Sequence, residues 1–434
     1  MRILLLTSEV WNDELYPNNN MSNWFTRFKE VEIANVYSSP GTPLNNCCKK
    51  YFQFTEKMML KSIFSKYKAG KKIVFNDFPH TYSEIDKSEK LNHKEKNMYA
   101  VLRSFSSETV RLLRDIIWGL GRFNCIELKS FIDEFQPDII FTQRKASIKM
   151  CRIERLVLSL CNAPMVAYTG DDEYSLKQFS VSPVFWMRLF WLRKNLKKNI
   201  PNYKIFYCQS KQQMEQFHEE FNSNTKFLVK CGDFSECNVH TSVNNPINIV
   251  YAGKLYCNRW KTLSMLADCI RDINKNGIKF VLNIYTKDNI TKRQKVRLSD
   301  GVNSFIREPV SACELKEIFK KADIALHVEG FDLKNKLLVK YSFSTKIMEC
   351  LSSGCAVMAI CDESQAGYIY LKQENAAFVA TNKQEITDIL TKISNSPHLI
   401  AEFSSSAFEC GIRNHRRDYI QKKLLEDFSD ILNG

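Results

Sequence analysis

The sequence predicts an α/β protein of two Rossmann-like, doubly wound domains, and three observations predict it. Short apolar, β-favouring runs such as Ile3 to Thr7, Ile247 to Ala252 and Asp323 to Val328 recur between helical stretches. That alternation builds parallel sheets buried under helices. The chain's 434 residues are many for one domain and comfortable for two, each able to bury a real core. From Phe227 to Asn245 the composition turns to Gly, Asp, Ser, Asn and Thr, with Pro246 just after, which reads as a linker. The domains are expected over 1–230 and 246–403, with a C-terminal helical segment over 404–434.

In chain order, Ile3 to Thr7 is the first strand, followed by a polar loop, Ser8 to Asn23, and a helix beginning at Trp24. Val31 to Tyr37 is the second strand. Cys47 to Val74 carries eight lysines against one acid, Glu56, with apolar residues at partly helical spacing. Asn97 to Gly119 is helical and mixed in charge. Pro137 to Thr142 is a strand entering the loop Gln143-Arg144-Lys145, and Pro164 to Thr169 is a strand feeding Gly170-Asp171-Asp172.

Pro183 to Asn199 is a basic helix whose Phe185, Leu189, Leu192 and Leu196 follow helical spacing, widened by Trp186, Phe190 and Trp191. It suits either a core-facing helix with a solvated basic side or an interfacial membrane helix. Tyr203 to Gln209 is a strand, with Ser210 capping the next helix. After the linker come the strand Ile247 to Ala252, a basic loop from Gly253 to Lys261, a helix from Thr262 to Asn274 and a strand from Phe280 to Tyr285.

Composition narrows the functional class. Net charge is +14, which favours an anionic partner. The basic residues interleave with a large apolar face rather than forming a phosphate-tracking stripe, which argues against nucleic acid. Fifteen scattered cysteines, without CxxC or zinc-type spacing, read as buried small hydrophobes of a reducing cytosol. MRILLLTSEV reads as a strand and not a signal peptide, and no run reaches the ~18 apolar residues of a membrane span. The expected location is cytoplasmic, with any membrane contact peripheral. No Walker loop, HExxH, nucleophile elbow or GxGxxG occurs, no DxD motif stands at a strand end, and no cofactor is expected.

The most informative stretch runs from Lys321 to Ala359. A buried strand ends at Val328, and Glu329-Gly330-Phe331 leaves it. Ser344-Thr345 stands at a helix start before Lys346 and Glu349, Gly354 follows the helix, and Cys355 to Ile360 is the next strand. In an open α/β sheet such a loop lies at the carboxyl edge, where ligands bind. Free N–H groups, two hydroxyls and an ammonium suit a phosphate, and Glu349 can address a ribose diol. His327, beside Glu329, reads as a satisfied core histidine.

In order, Ala322-Asp323, Glu329-Gly330-Phe331, and Glu349 followed five residues later by Gly354 resemble the group-1 (family 4) glycosyltransferases of GT-B fold, of the bacterial surface-polysaccharide type. That family keeps its two glutamates closer together than the twenty residues separating Glu329 from Glu349 here; the difference is the insert Asp332 to Tyr341. Asn18 to Asn23 stands where the family carries paired glycines.

The resemblance implies two facing domains with a cleft between them and a last helix bracing the first domain. The implied activity is a metal-independent, retaining transfer from a nucleotide-diphosphate sugar to a saccharide acceptor. It assigns the diphosphate to Arg259 and Lys261, with Lys254, Ser344, Thr345 and Lys346 beside them, and the ribose to Glu349. Glu329 would approach the sugar, and Phe305 to Val310 would line the base pocket. Apart from the resemblance, Asp171-Asp172 after a strand suits positioning an acceptor hydroxyl or touching the transferred sugar, although paired carboxylates on a loop serve equally as turn or cap residues. A lipid-linked acceptor and an anionic membrane surface would account for the basic, aromatic stretches of the first domain. Two alternatives stand beside this: a non-catalytic binding protein of the same fold, and a nucleotide-sugar epimerase.

Overall fold

The computed structural model describes residues 1–434 except 17, 18, 27, 29, 30, 74–107, 146, 171, 173, 235–238, 240 and 241. The first sheet takes β1 (Arg2–Thr7), β2 (Glu32–Tyr37), β3 (Lys50–Gln53), β4 (Lys71–Ile73), β5 (Ile139–Gln143), β6 (Met165–Tyr168), β7 (Tyr203–Cys208) and β8 (Thr225–Phe227). Their order is β4-β3-β2-β1-β5-β6-β7-β8, and every pairing is parallel except β3 with β4. The second takes β9 (Ile247–Ala252), β10 (Phe280–Tyr285), β11 (Ser304–Arg307), β12 (Ile324–Val328), β13 (Ala356–Ile360) and β14 (Phe378–Ala380), ordered β11-β10-β9-β12-β13-β14. Each order reverses beside its first strand, between β1 and β5 and between β9 and β12. Those two switch points hold the carboxyl-edge loops that form the site.

Strand alternation explains why both sheets need helices on both faces. Ile3 and Leu5 enter one apolar cluster while Leu4 and Leu6 enter another. The first of these clusters is continuous between the halves. It joins β1 and β5 residues to Val250 and Ala325 of the second sheet, through Leu228, Val229 and Cys231. The helix Arg417–Asn433 lies on the first sheet's half: Gln421 Nε2 donates to the carbonyls of Trp24 at 2.6 Å and Thr26 at 2.7 Å. Tyr207 donates to Asp427 at 2.9 Å.

Among the elements that differ from the sequence expectation, three have a clear local reason. Trp24 closes rather than opens its helix, Asn20–Phe25, because the Asn19 side chain caps it by accepting from the Ser22 N–H at 2.8 Å. The C-terminal segment is two helices, Leu399–His415 and Arg417–Asn433. They part at Arg416, where Gly232 bridges and donates to the His415 carbonyl at 2.8 Å. In the insert, Leu333–Val339 forms an extra helix capped by Asp332. Of the Asn97 to Gly119 helix, residues 97–107 lie outside the described ones, and Glu108–Leu120 is helical.

Candidate active site

After β9 the chain turns back through Cys257 and Asn258, both left-handed (φ +55° and +60°), so that Arg259 heads the helix Arg259–Ile273. This turn presses against the facing loop. A Cβ on Gly330 would stand 2.2 Å from the Cys257 carbonyl oxygen, so only glycine fits there. The close approach brings Arg259 onto Glu329. Nε donates to Oε2 at 2.9 Å and Nη2 to Oε1 at 2.6 Å, with both side chains under a tenth exposed. Thr262 donates to the Glu329 carbonyl at 2.7 Å, and the guanidinium lies 4.8 Å over the Tyr256 ring. The insert leaves Glu329 in place because its helix hangs from Asp332, which accepts from Asn258 at 2.7 Å.

Lys346 comes from the short helix Thr345–Leu351 and lies across Gly253, where a Cβ would stand 2.2 Å from its Cε. Its ammonium reaches Glu349 at 3.4 Å. Ser344 sits at the N-cap position without spending its hydroxyl on a cap. Lys230, in the chain between the halves, faces the same place. Burial pulls its ammonium below the usual lysine range, and the Glu349 charge opposes that.

These groups line one cleft of about 1510 Å³ between the sheets' carboxyl edges. It brings together Lys254, Arg259, Glu329, Ser344, Thr345, Lys346 and Glu349, with Pro309 and Val310 of the Phe305 to Val310 segment. Lys261 is not among them. The helix begins at Arg259 rather than Thr262, and residues two apart on a helix point to different sides. Lys261 is exposed, its ammonium 5.9 Å over Trp260.

Asp172 lines a second chamber of about 780 Å³. Its Oδ1 accepts from the Tyr174 and Ser175 N–H groups at 3.3 and 2.8 Å, so it holds a turn. Its Oδ2 has no partner among the described residues, and burial pushes its carboxyl above the usual range. The two chambers share Lys145, Tyr256, Val339 and Ser342 and therefore meet.

His327 corrects another expectation. It is buried but not satisfied: Nδ1 has no hydrogen-bond partner among the described residues, and the ring lines the cleft. Burial pulls it down to about 4. Lys230 and Lys145 carried no assigned role in the sequence. Lys145 lies two residues beyond a strand's carboxyl end, a readable signal; Lys230 lies in a linker and gave none. Arg144, also lining the cleft, is fully engaged below it with Glu154 at 2.6 Å, both side chains wholly buried.

No protein-family model matches the chain, and no curated protein sequence matches it. Solved structures do. Sucrose-phosphate synthase from Thermosynechococcus elongatus superposes with a TM-score of 0.61 at 11% identity, over 100% of this chain and 99% of that one. HepE from Anabaena, in complex with UDP, gives 0.62 at 12%, over 99% and 100%. The trehalose-6-phosphate synthase OtsA gives 0.61 at 7%, over 99% of each. This chain has the GT-B fold. Its GT-B cleft is the chamber just described. Among the described residues no helix is long and apolar enough to cross a membrane.

Proposed function

We propose that this protein is a retaining glycosyltransferase that moves a sugar from a nucleotide-diphosphate donor to a saccharide acceptor. The observation that carries the reading is the convergence of Lys254, Arg259 and Lys346 with Glu329 and Glu349 in one GT-B cleft. As the glycosyl bond breaks, negative charge grows on the leaving diphosphate. Cations already fixed beside it stabilise that charge more than the ground state. Lys346 and the unspent Ser344 hydroxyl face the diphosphate, Lys254 flanks it, and Glu349 holds the ribose. Arg259 divides its guanidinium between Glu329 and the phosphate side, while Glu329 approaches the sugar.

Retention of configuration follows from the sequence resemblance, as does transfer without a metal, the protein cations doing that work. HepE was solved with UDP and also with UDP and glucose, which agrees with a nucleotide-sugar donor. The second chamber, which meets the first at Lys145, Tyr256, Val339 and Ser342, would take the acceptor. Its walls mix Val10, Leu15, Tyr16 and Leu189 with charged groups of both signs, Lys149 and Arg188 beside Glu56 and Asp115. That mixture favours an acceptor carried on a lipid anchor, and so surface-polysaccharide assembly at the inner face of the cell membrane.

The test is calorimetric titration of UDP, GDP and ADP into the wild type and Glu349→Ala, followed by product analysis with EDTA present. One nucleotide should bind in the micromolar range and lose that binding in the variant. Absence of binding by all three would return the chain to the non-catalytic alternative.

A further inference from the structure

The cleft has a corner that the diphosphate does not use. Gln365 stands at the N-cap position of the helix Ala366–Gln373, yet its side chain makes no cap hydrogen bond. It is 3% exposed, and neither its Oε1 nor its Nε2 has a partner among the described residues. The second orphan, His327 Nδ1, lines the same cleft on a ring that is 2% exposed. Three buried polar atoms without partners are costly together, since each forfeits its hydrogen bonds to water. The loop that carries Gln365 packs on the His327 ring: a Cβ on Gly367, two residues further on, would stand 3.5 Å from His327 Nε2, and Gln365 and His327 both line the one cleft.

Gln365 is rigidly placed rather than adrift. Its N–H donates to the Asp362 carbonyl at 3.1 Å, and its carbonyl accepts from the Ile369 N–H at 3.1 Å. Asp362 is in turn gripped by Lys336 at 2.9 Å, a residue of the insert helix Leu333–Val339. The Lys340 carbonyl at that helix's end accepts from the Ala366 N–H at 3.0 Å. The segment by which this chain departs from the family spacing therefore fastens the loop that carries Gln365.

We propose that Gln365 and His327 form the subsite that reads the hydroxyls of the transferred group, and that this group is an uncharged sugar. The inference rests on the donor reading above and deepens it. An amide offers two donors and an acceptor to a pair of hydroxyls, and a neutral imidazole nitrogen adds one more partner. The imidazole is neutral at ordinary pH because burial disfavours its charged form. Glu329 follows two residues after His327 on the strand's end and so shares its side of the chain. A carboxylate on the sugar would lie beside the Glu329 carboxylate, whose two oxygens already hold Nε and Nη2 of Arg259. A site built to hydrogen-bond hydroxyls also rejects a group lacking them, because its polar atoms then stay unpaired.

The experiment is calorimetric titration of the full chain with the nucleoside diphosphate that binds, its neutral sugars and its uronate. For UDP these are UDP-glucose, UDP-galactose, UDP-N-acetylglucosamine and UDP-glucuronate; for GDP, GDP-mannose and GDP-mannuronate. A neutral nucleotide sugar should bind more tightly than the bare diphosphate. Gln365→Ala should remove about tenfold of that affinity while leaving the bare diphosphate within about twofold. The unliganded variant should melt at the wild-type temperature or above, because it loses an orphaned amide rather than a contact. Tightest binding of the uronate, or an unchanged affinity for the neutral sugar in Gln365→Ala, overturns the inference and leaves the donor reading standing. Failure of every bare diphosphate to bind overturns both.

Discussion

Arg259 closes a two-pronged hydrogen bond on Glu329 across the loops that follow β9 and β12, at 2.9 and 2.6 Å. The pair explains how Glu329 keeps its place although the chain runs twenty residues before reaching Glu349. Removing one member leaves the other charge buried and uncompensated, whereas removing both leaves neither. Arg259→Ala should therefore lower unfolding free energy by about 3–5 kcal/mol. The double variant Arg259→Met, Glu329→Gln should recover most of that loss. Urea denaturation measures both, and a single variant within about 0.5 kcal/mol of wild type would mean that the pair is not closed in solution.

Two glycines in these loops should respond in opposite ways to the same added methyl. At Gly253 the new Cβ meets the Cε of Lys346, the far end of a flexible side chain that can swing aside. At Gly330 it meets the backbone carbonyl of Cys257, which cannot. Gly253→Ala should hold its melting temperature yet bind the nucleoside diphosphate about tenfold more weakly, because Lys346 loses its position. Gly330→Ala should lose about 1–3 kcal/mol of stability from overpacking. Thermal melts run beside nucleotide titrations separate the two, and equal stability loss in both would refute the assignment of Lys346 to the space above Gly253.

Two buried histidines should make the fold acid-sensitive. Burial pulls both His327 and His415 from 6.5 down to about 4. Between those values the unfolded chain binds protons that the folded chain refuses. Their contribution is thus complete above about pH 6.5 and is lost as pH falls toward about 4. Each accounts for up to about 3 kcal/mol. Denaturation at pH 7, 5.5 and 4.5 should show that decline, and the double variant His327→Gln, His415→Gln should flatten it. A variant as acid-sensitive as the wild type would assign the decline to other groups.

Much of the fold was legible because its central strands are apolar runs that nothing else explains. β9 and β10 occupy the very residues their hydrophobicity marks, and β12 begins one residue after Asp323. The two strands at the β4 side of the first sheet were not legible. β3 and β4 are four and three residues long, their lysines turned outward, and so they merge with a basic stretch. At the site, Glu349, Lys346 and Glu329 were readable because a short motif sits on one strand–loop–helix unit. Lys261 reads as a loop residue because the helix starts at Arg259 without a cap signal: Asn258 is left-handed and its side chain makes no cap hydrogen bond. His327 and Gln365 carry no local signal, since lacking a partner is a property of the surroundings and not of the residue.

The basic helix Pro183–Asn199 resolves into two faces with different work. Leu192 and Leu196 are buried in the first half's core and Leu189 is buried against the second chamber, so that stripe faces inward. Trp186 donates to the Ser180 carbonyl at 2.9 Å, and Trp191 rests against Gly119. What remains outside is Met187 and Phe190, each about half exposed, with Phe179 and Val181 just before the helix and the exposed Lys194, Lys197 and Lys198 beyond. Apolar side chains ringed by lysines fit an anionic lipid surface, where each basic residue contributes about 1 kcal/mol and salt screens it. Sedimentation with phosphatidylglycerol vesicles at low salt should carry the wild type down and release it as salt rises. Met187→Ser with Phe190→Ser should weaken that partition several-fold without changing the melting temperature, since neither side chain is packed in the core. If the wild type stays in the supernatant at low salt, this face is ordinary solvated surface and the lipid-linked acceptor loses its support.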